Sequence, residues 1–336
     1  MQANNQRGVA LITALLIVAL ATIISVSIST QLQLDVRRTG NILASEQAIL
    51  YTLTAEDWVR RILRDDRADN NIDHYGEGWA TQIPAIPVEG GSIEGRLYDL
   101  QACFNLNSLY STNAANPAAT QLAEARFGRL LANLQRNPDL RLNINPNVIT
   151  QSIIDWMDGD MTQPSADGAE DIYYMNLDRP YRAANAPLQS ISELRVIRGF
   201  EDSSTLDALK KPDREDEELE HLVCAFGIAA DINVNTAPAE VLESLASPTA
   251  TASINTDSII KERDDTPFND IDDFINRNNL QTVILAPDRI GLSMSTSYFL
   301  LKTEATIGQA RTLMYSILYR EANGNTTVIS RSQGAY

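Results

Sequence analysis

The sequence predicts an α+β protein: a long N-terminal membrane-spanning helix leads into a mixed α/β head that carries a large inserted α-helical domain. Three observations predict it. Residues 9–34 carry no charge, and within 9–24 only Thr13 and Thr22 are polar. Strand-like segments stand at 92–107 and 298–320. Between them, from about 108 to 224, apolar residues recur at helical spacing.

The apolar run comes first. A hydrocarbon core of about 30 Å takes about 20 apolar helical residues, which residues 9–28 supply. Arg7 before the run, against the acidic bulk after it, puts the N-terminus in the cytoplasm and the rest outside. A secretory signal has a shorter apolar core and a small-residue cleavage site; here no Ala-x-Ala boundary follows. A plain signal anchor is the simpler alternative. Polarity instead fades through Ser25, Ser27, Ser29, Thr30 and Gln31 into an amphipathic pattern of Leu32, Leu34, Val36, Ile42, Leu43, Ile49, Leu50 and Leu53. Gly40 is the sole glycine between Val9 and Leu63, and no proline interrupts. One continuous helix of about 55 residues and about 80 Å is expected, ending near residue 64.

A short leader ending in Gly8 before such a stem resembles the type IV pilin-like proteins. The resemblance implies that prepilin peptidase cuts between Gly8 and Val9 and methylates the new terminus. Such proteins usually begin with Phe and carry Glu at the fifth mature position, where this chain has Val9 and Thr13. In pilin filaments that Glu is taken to face the terminal amine of the preceding subunit. A carboxylate in hydrocarbon is tolerated only when paired. Its absence points to a subunit with no neighbour above it, at a filament tip.

Roughly 270 residues remain after the helix, enough for one large or two modest domains. A net charge of −17 argues against nucleic acid as a partner. Cys103 and Cys224 fall in the part outside the cytoplasm, where they can pair; two free core cysteines are the equal alternative. His74 and His221 are too few and too isolated for a histidine metal site or a triad, and surface positions are expected.

Along the chain, 65–91 reads as a polar loop and 92–107 as one or two strands. Leu122, Ala123, Phe127, Leu130, Leu131 and Leu134, then Val148, Ile149, Ile153, Ile154, Trp156 and Met157, mark helices. Residues 298–307 and 312–320 form a hairpin about Gly308-Gln309. A faint echo, Asn105-Leu-Asn-Ser108 and Asn233-Val-Asn-Thr236, places cap-forming residues where strand passes to helix. The expected organisation is a leader at 1–8 and the helix at 9–64, with its membrane part at 9–28. The first part of the head follows at 65–107, an inserted α-helical domain at 108–230, a second helical segment at 231–290 and C-terminal strands at 291–336.

The densest chemistry lies at 155–171, where six carboxylates meet no Lys or Arg and glycines stand at 159 and 168. A hard cation such as calcium takes about six to eight oxygens. Asp158, Asp160, Glu170 and Asp171 are the expected side-chain ligands, with backbone carbonyls of 161–168 completing the shell. The spacing is not that of an EF-hand, for Gln163 stands where that loop needs Gly and Ala169 where it needs Glu. A solvated acidic surface loop is the plain alternative. Ile153, Ile154, Trp156 and Met157 argue against it, because they suggest that the loop leaves a buried helix. Like charges clustered there repel unless a cation holds them.

The same segment carries a more specific resemblance. Asp155-Trp156-Met157-Asp158-Gly159-Asp160, Gly168-Ala169-Glu170-Asp171, Tyr173-Tyr174, Pro180-Tyr181-Arg182, Asn185-Ala186-Pro187, Ser192-Glu193-Leu194 and Gly199-Phe200 resemble the minor pseudopilin K family of the type II secretion system. Asn233 to Pro238 continues the match, which spans nearly the whole chain. The resemblance implies a pilin-like α/β head with an inserted helical domain, calcium in the acidic loop region, and a tip complex with the minor pseudopilins I and J. It also implies a stem in the inner membrane, a periplasmic head, and initiation of a pseudopilus that pushes folded proteins through the outer-membrane secretin.

Two other classes compete. Residues 235–274 resemble the helix-hairpin-helix modules of DNA-uptake receptors, but Ala246-Ser-Pro-Thr-Ala250 stands where phosphate-binding glycines belong, and only Lys261 and Arg263 face many carboxylates. Paired carboxylates also serve acid–base catalysis, yet no nucleophile motif or histidine constellation stands near them. No enzymatic activity is expected.

Overall fold

The computed structural model describes residues 6–110, 117–163, 165–209, 221–227, 230–250 and 252–334. The first five residues of the expected leader, segments 111–116 and 210–220 of the expected helical domain, and position 164 of the acidic loop lie outside them, as do the side chains of residues 6–8.

Helix α1 (Gln6–Asp69) runs unbroken through 64 residues, a turn beyond the expected end. Its apolar part is long enough to cross a membrane, and the rest of the protein buries none of it. Three polar side chains there bond back to their own helix. The Thr13 hydroxyl donates to the Val9 and Ala10 carbonyls, at 3.1 and 3.0 Å, and Thr22 and Ser25 bond back one turn in the same way. Gly40 passes without a break, in open space. Farther along, Ala48, Thr52, Glu56, Val59 and Leu63 are buried. Their spacing of three and four residues draws one face of the helix onto the head.

That face meets an antiparallel sheet of β1 (Ile83–Val88), β2 (Gly91–Asp99), β7 (Tyr298–Ile307), β8 (Ala310–Arg320) and β9 (Thr326–Gln333), in that order across the sheet. Val59 and Leu63 pack on Trp79, Leu97, Phe299, Leu301 and Leu318. The β7–β8 hairpin turns on Gly308, whose φ of +56° suits the first central position of a two-residue turn.

Two strands depart from the sequence reading. The expected loop at 65–91 contains β1, in which Pro84 and Pro87 interrupt the strand signal. Proline is accepted there because β1 is an edge with only β2 beside it. At the other edge lies β9, largely exposed and therefore without an apolar pattern to announce it.

Between β2 and β7 the chain builds a second, larger core. It leaves through β3 (Phe104–Asn105) and passes α2 (Pro117–Arg136), α3 (Pro146–Met157), α4 (Asp171–Met175) and α5 (Ser203–Leu209). It returns through β4 (Val223–Cys224), which pairs parallel with β3. Next come β5 (Ile232–Asn233), α6 (Ala239–Ser244), α7 (Thr256–Asp265), α8 (Ile271–Arg277) and β6 (Leu292–Ser293), with β5 and β6 parallel. Phe104, Phe127, Leu131, Ile153, Leu194, Leu242, Phe268 and Phe274 belong to one continuous cluster.

Cys103 and Cys224, left open by the sequence, are bonded to each other across the β3–β4 pair. Neither histidine sits free on the surface as expected. His74 and His221 are both half-buried and line one cleft between β2 and the β4–α7 region.

The Asn-x-Asn echo is a repeated turn. Asn105 Oδ1 accepts from the Asn107 N–H, and Asn233 Oδ1 accepts from the Asn235 N–H. The second asparagine of each pair then grips a distant backbone by both its N–H and its C=O: Asn107 holds Leu188 and Asn235 holds Phe268, each bond 2.9 Å. Asn105 caps a 3-10 turn, as expected, whereas α6 starts six residues after Asn233.

A buried polar knot joins stem, sheet and helices. Arg320, at the end of β8, donates to Asp66 of α1, to Asp73 and to the Thr296 carbonyl, and lies 4.9 Å over the Phe299 ring. Thr236, Thr296 and Asn233 all donate to Asp99 Oδ2.

Candidate metal centre

Helix α3 begins on an Asn145 cap with Pro146 in its first turn, and buries Ile149, Ile153, Trp156 and Met157. Asp155 and Asp158 stand three apart, so both project from the same side at its C-terminal end. The chain then loops out and re-enters at Glu170, the residue that precedes α4. One carboxylate oxygen from each of Asp155, Asp158 and Glu170 lies within 4.8 Å of the others.

These groups are unusually placed for carboxylates. Asp155 is 0% exposed and Glu170 4%. Neither oxygen of Asp155 meets a hydrogen-bond donor of ordinary geometry, and Asp158 Oδ1 and Glu170 Oε1 are equally bare. Burial first, then the charges of Asp158 and Asp160, push the Asp155 carboxyl up to about 6, which the nearby Ala169 N–H offsets only in part. Burial, followed by repulsion from Asp155, Asp158 and Asp160, raises Glu170 to about 7. Asp158 moves in the same direction, again by burial and then by the Asp160 charge.

A second trio gives the comparison. Asp66, Asp73 and Glu77 also cluster, but Arg320 supplies their cation, and Asn70, His74 and Trp79 donate to Glu77. Among the described residues no basic side chain pairs with Asp155, Asp158 or Glu170. The loop is also shaped to the site, for a Cβ on Gly168 would lie 1.9 Å from Asp155 Oδ2. Hard oxygen donors, buried and unpartnered around one point, fit a cation such as calcium.

Of the expected ligands, the structure brings together Asp158 and Glu170. Asp160 stands at the exposed rim, with Oδ1 taken by the Thr162 N–H at 2.6 Å. Asp171 turns away: its Oδ1 accepts from the Ala183 N–H and its Oδ2 faces Arg182. Asp155 takes its place, and the three-residue spacing from Asp158 on a predicted helix was the signal for it. Three of the expected backbone carbonyls have another partner. The carbonyls of Ala166, Asp167 and Gly168 face Arg198, and Gln163 also donates to Gly168.

The DNA-binding alternative loses its chemistry here. Arg263 is buried and donates to the Val234 and Ala237 carbonyls, so it holds the fold together.

A membrane-length helix continuous with a sheet-bearing head, interrupted by a helical section with a buried carboxylate cluster, defines a pilin-like, membrane-anchored protein of an elaborated kind. Profiles of the type II secretion system protein K match residues 102–211 and 232–293. A type II secretion system protein K of Pseudomonas aeruginosa is 30% identical over 98% of this chain and 94% of its own length. Another, of Aeromonas hydrophila, is 38% identical over 58% of this chain and 60% of that protein. In the solved GspK-GspI-GspJ complex of the enterotoxigenic Escherichia coli type 2 secretion system, one chain superposes with a TM-score of 0.70 at 25% identity. That match covers 89% of this chain and 100% of the other. The chain belongs to the type II secretion system protein K family, and its role is that of a minor pseudopilin.

Proposed function

We propose that this pseudopilin occupies the tip of the pseudopilus and starts its assembly with the minor pseudopilins I and J, the solved relative having been crystallised with GspI and GspJ. The observation that carries the tip position is Thr13. A threonine stands where the family's carboxylate would, with its hydroxyl spent on its own helix, so the membrane part of the stem holds no carboxylate that needs an amine from a neighbour. The stem waits in the inner membrane with the head in the periplasm until prepilin peptidase cuts between Gly8 and Val9. It then packs beside partner stems, while the helical section caps the growing end. Calcium held by Asp155, Asp158 and Glu170 fixes the shape of that cap. The role is structural and not catalytic.

Labelling the head in assembled filaments tests the position. Signal at one end only is expected, and signal spread along the fibre sinks the tip reading. Intact mass of the protein from cells tests the processing: a chain beginning at methylated Val9 supports it, and a retained leader overturns it.

A further inference from the structure

We propose that Arg198 is the positioning residue of the cation site, setting its affinity for calcium without touching the ion. The inference rests on the metal reading above.

Helix α3 delivers Asp155 and Asp158, and Glu170 comes from the far end of the loop. Between them the backbone must return close against Asp155, at Gly168. A peptide can approach a buried carboxylate with its N–H side, but its carbonyl side is repelled. Which side faces inward therefore decides how closely the loop can return on Asp155 before an ion binds.

Arg198 makes that choice. One guanidinium nitrogen, Nη1, donates to the Gly168 carbonyl at 2.7 Å and stands 3.4 Å from those of Ala166 and Asp167. Three successive carbonyls are thus gathered on one cation. The Ala169 N–H is left on the side of Asp155, where it favours the charged carboxylate. The guanidinium lies 5.2 Å over the Tyr173 ring, so its plane is held as well.

The clamp is itself referenced to the two helices that flank the loop, α4 and α3. The Arg198 N–H points at the Tyr174 hydroxyl, at 3.4 Å. The next residue, Gly199, has φ +97°, and a Cβ there would lie 2.8 Å from Ile149 Cγ1 of α3. Arg198 therefore fixes the loop against the same element that positions Asp155. A lysine carries the charge but lacks the planar fork.

The test is calcium titration by calorimetry of the full chain in detergent micelles, with melting in calcium and in chelator alongside. Residues that orient metal ligands commonly change affinity by about 10–100-fold. Arg198→Ala is expected to weaken calcium binding by about tenfold or more, with Arg198→Lys between it and the wild type. The gap in melting temperature between variant and wild type is expected to be wider in calcium than in chelator. Equal gaps, with affinities alike, show a merely structural arginine and overturn the proposal. A wild type that binds no calcium overturns the metal reading and this inference together. Should Arg198→Ala not fold, Arg198→Lys carries the same comparison.

Discussion

In the metal-free fold, Asp155 and Glu170 keep their protons to higher pH than a free carboxyl does. Unfolded Asp and Glu titrate near pH 4, whereas in the fold burial and mutual repulsion raise them to about 6 and about 7. Between those limits the metal-free folded state binds more protons than the unfolded chain, so its stability falls as pH rises. In chelator the melting temperature should therefore drop from about pH 4 to about pH 7. Calcium should restore it at the alkaline end, by about 2.7 kcal/mol at a hundredfold excess over its dissociation constant. Asp66 and Asp99, each raised to about 6 by burial, add a slope of the same sign. The informative quantity is therefore the difference from Glu170→Gln, which should flatten part of the fall and abolish the calcium response. An unchanged slope and response would remove Glu170 from the site. The sequence pointed to this loop, and to Asp158 and Glu170, because like charges stood together beside apolar residues. It could not separate Asp155 from Asp171. Which way a side chain turns at a helix end depends on partners such as Ala183, twelve residues away, that spacing does not reveal.

Among the elements, the two Asn-x-Asn turns do more than cap. Each ends in an asparagine whose amide replaces a missing strand, satisfying one donor and one acceptor on a buried backbone residue. Asn235→Ala should leave the Phe268 N–H and C=O unpaired and cost about 2–6 kcal/mol, at about 1–3 for each buried group. Chemical denaturation measures it, and a loss no larger than that of an exposed asparagine would deny the grip. The stem and the β7–β8 hairpin were legible because period and turn chemistry agree in them. Strand β1 was hidden by two prolines that only an edge position permits, and β9 because only Thr326 and Val328 turn inward, too few to make an apolar alternation. Strand β3 lies within the 92–107 segment read as strand, but no local pattern announces its partner β4, more than a hundred residues later.

Across the whole molecule, the disulfide closes a span of 121 residues between the start and the end of the helical section. In the chain-entropy picture a loop of that order is worth about 4–5 kcal/mol. Replacing both cysteines by serine should lower stability by about 2–5 kcal/mol, and reductant should do the same to the wild type; identical melting with and without reductant would show the bond to be idle. Its pairing was not legible, since two cysteines fit equally as core residues until β3 and β4 are placed side by side. The Arg320 knot has a mechanical consequence. It fastens the last turns of the stem to Asp73, to Thr296 beside β7 and to the end of β8 at once. A thrust or tug travelling up the stem therefore enters the head through several bonds strained together, where a single hinge would let the rod swing loose beneath its load.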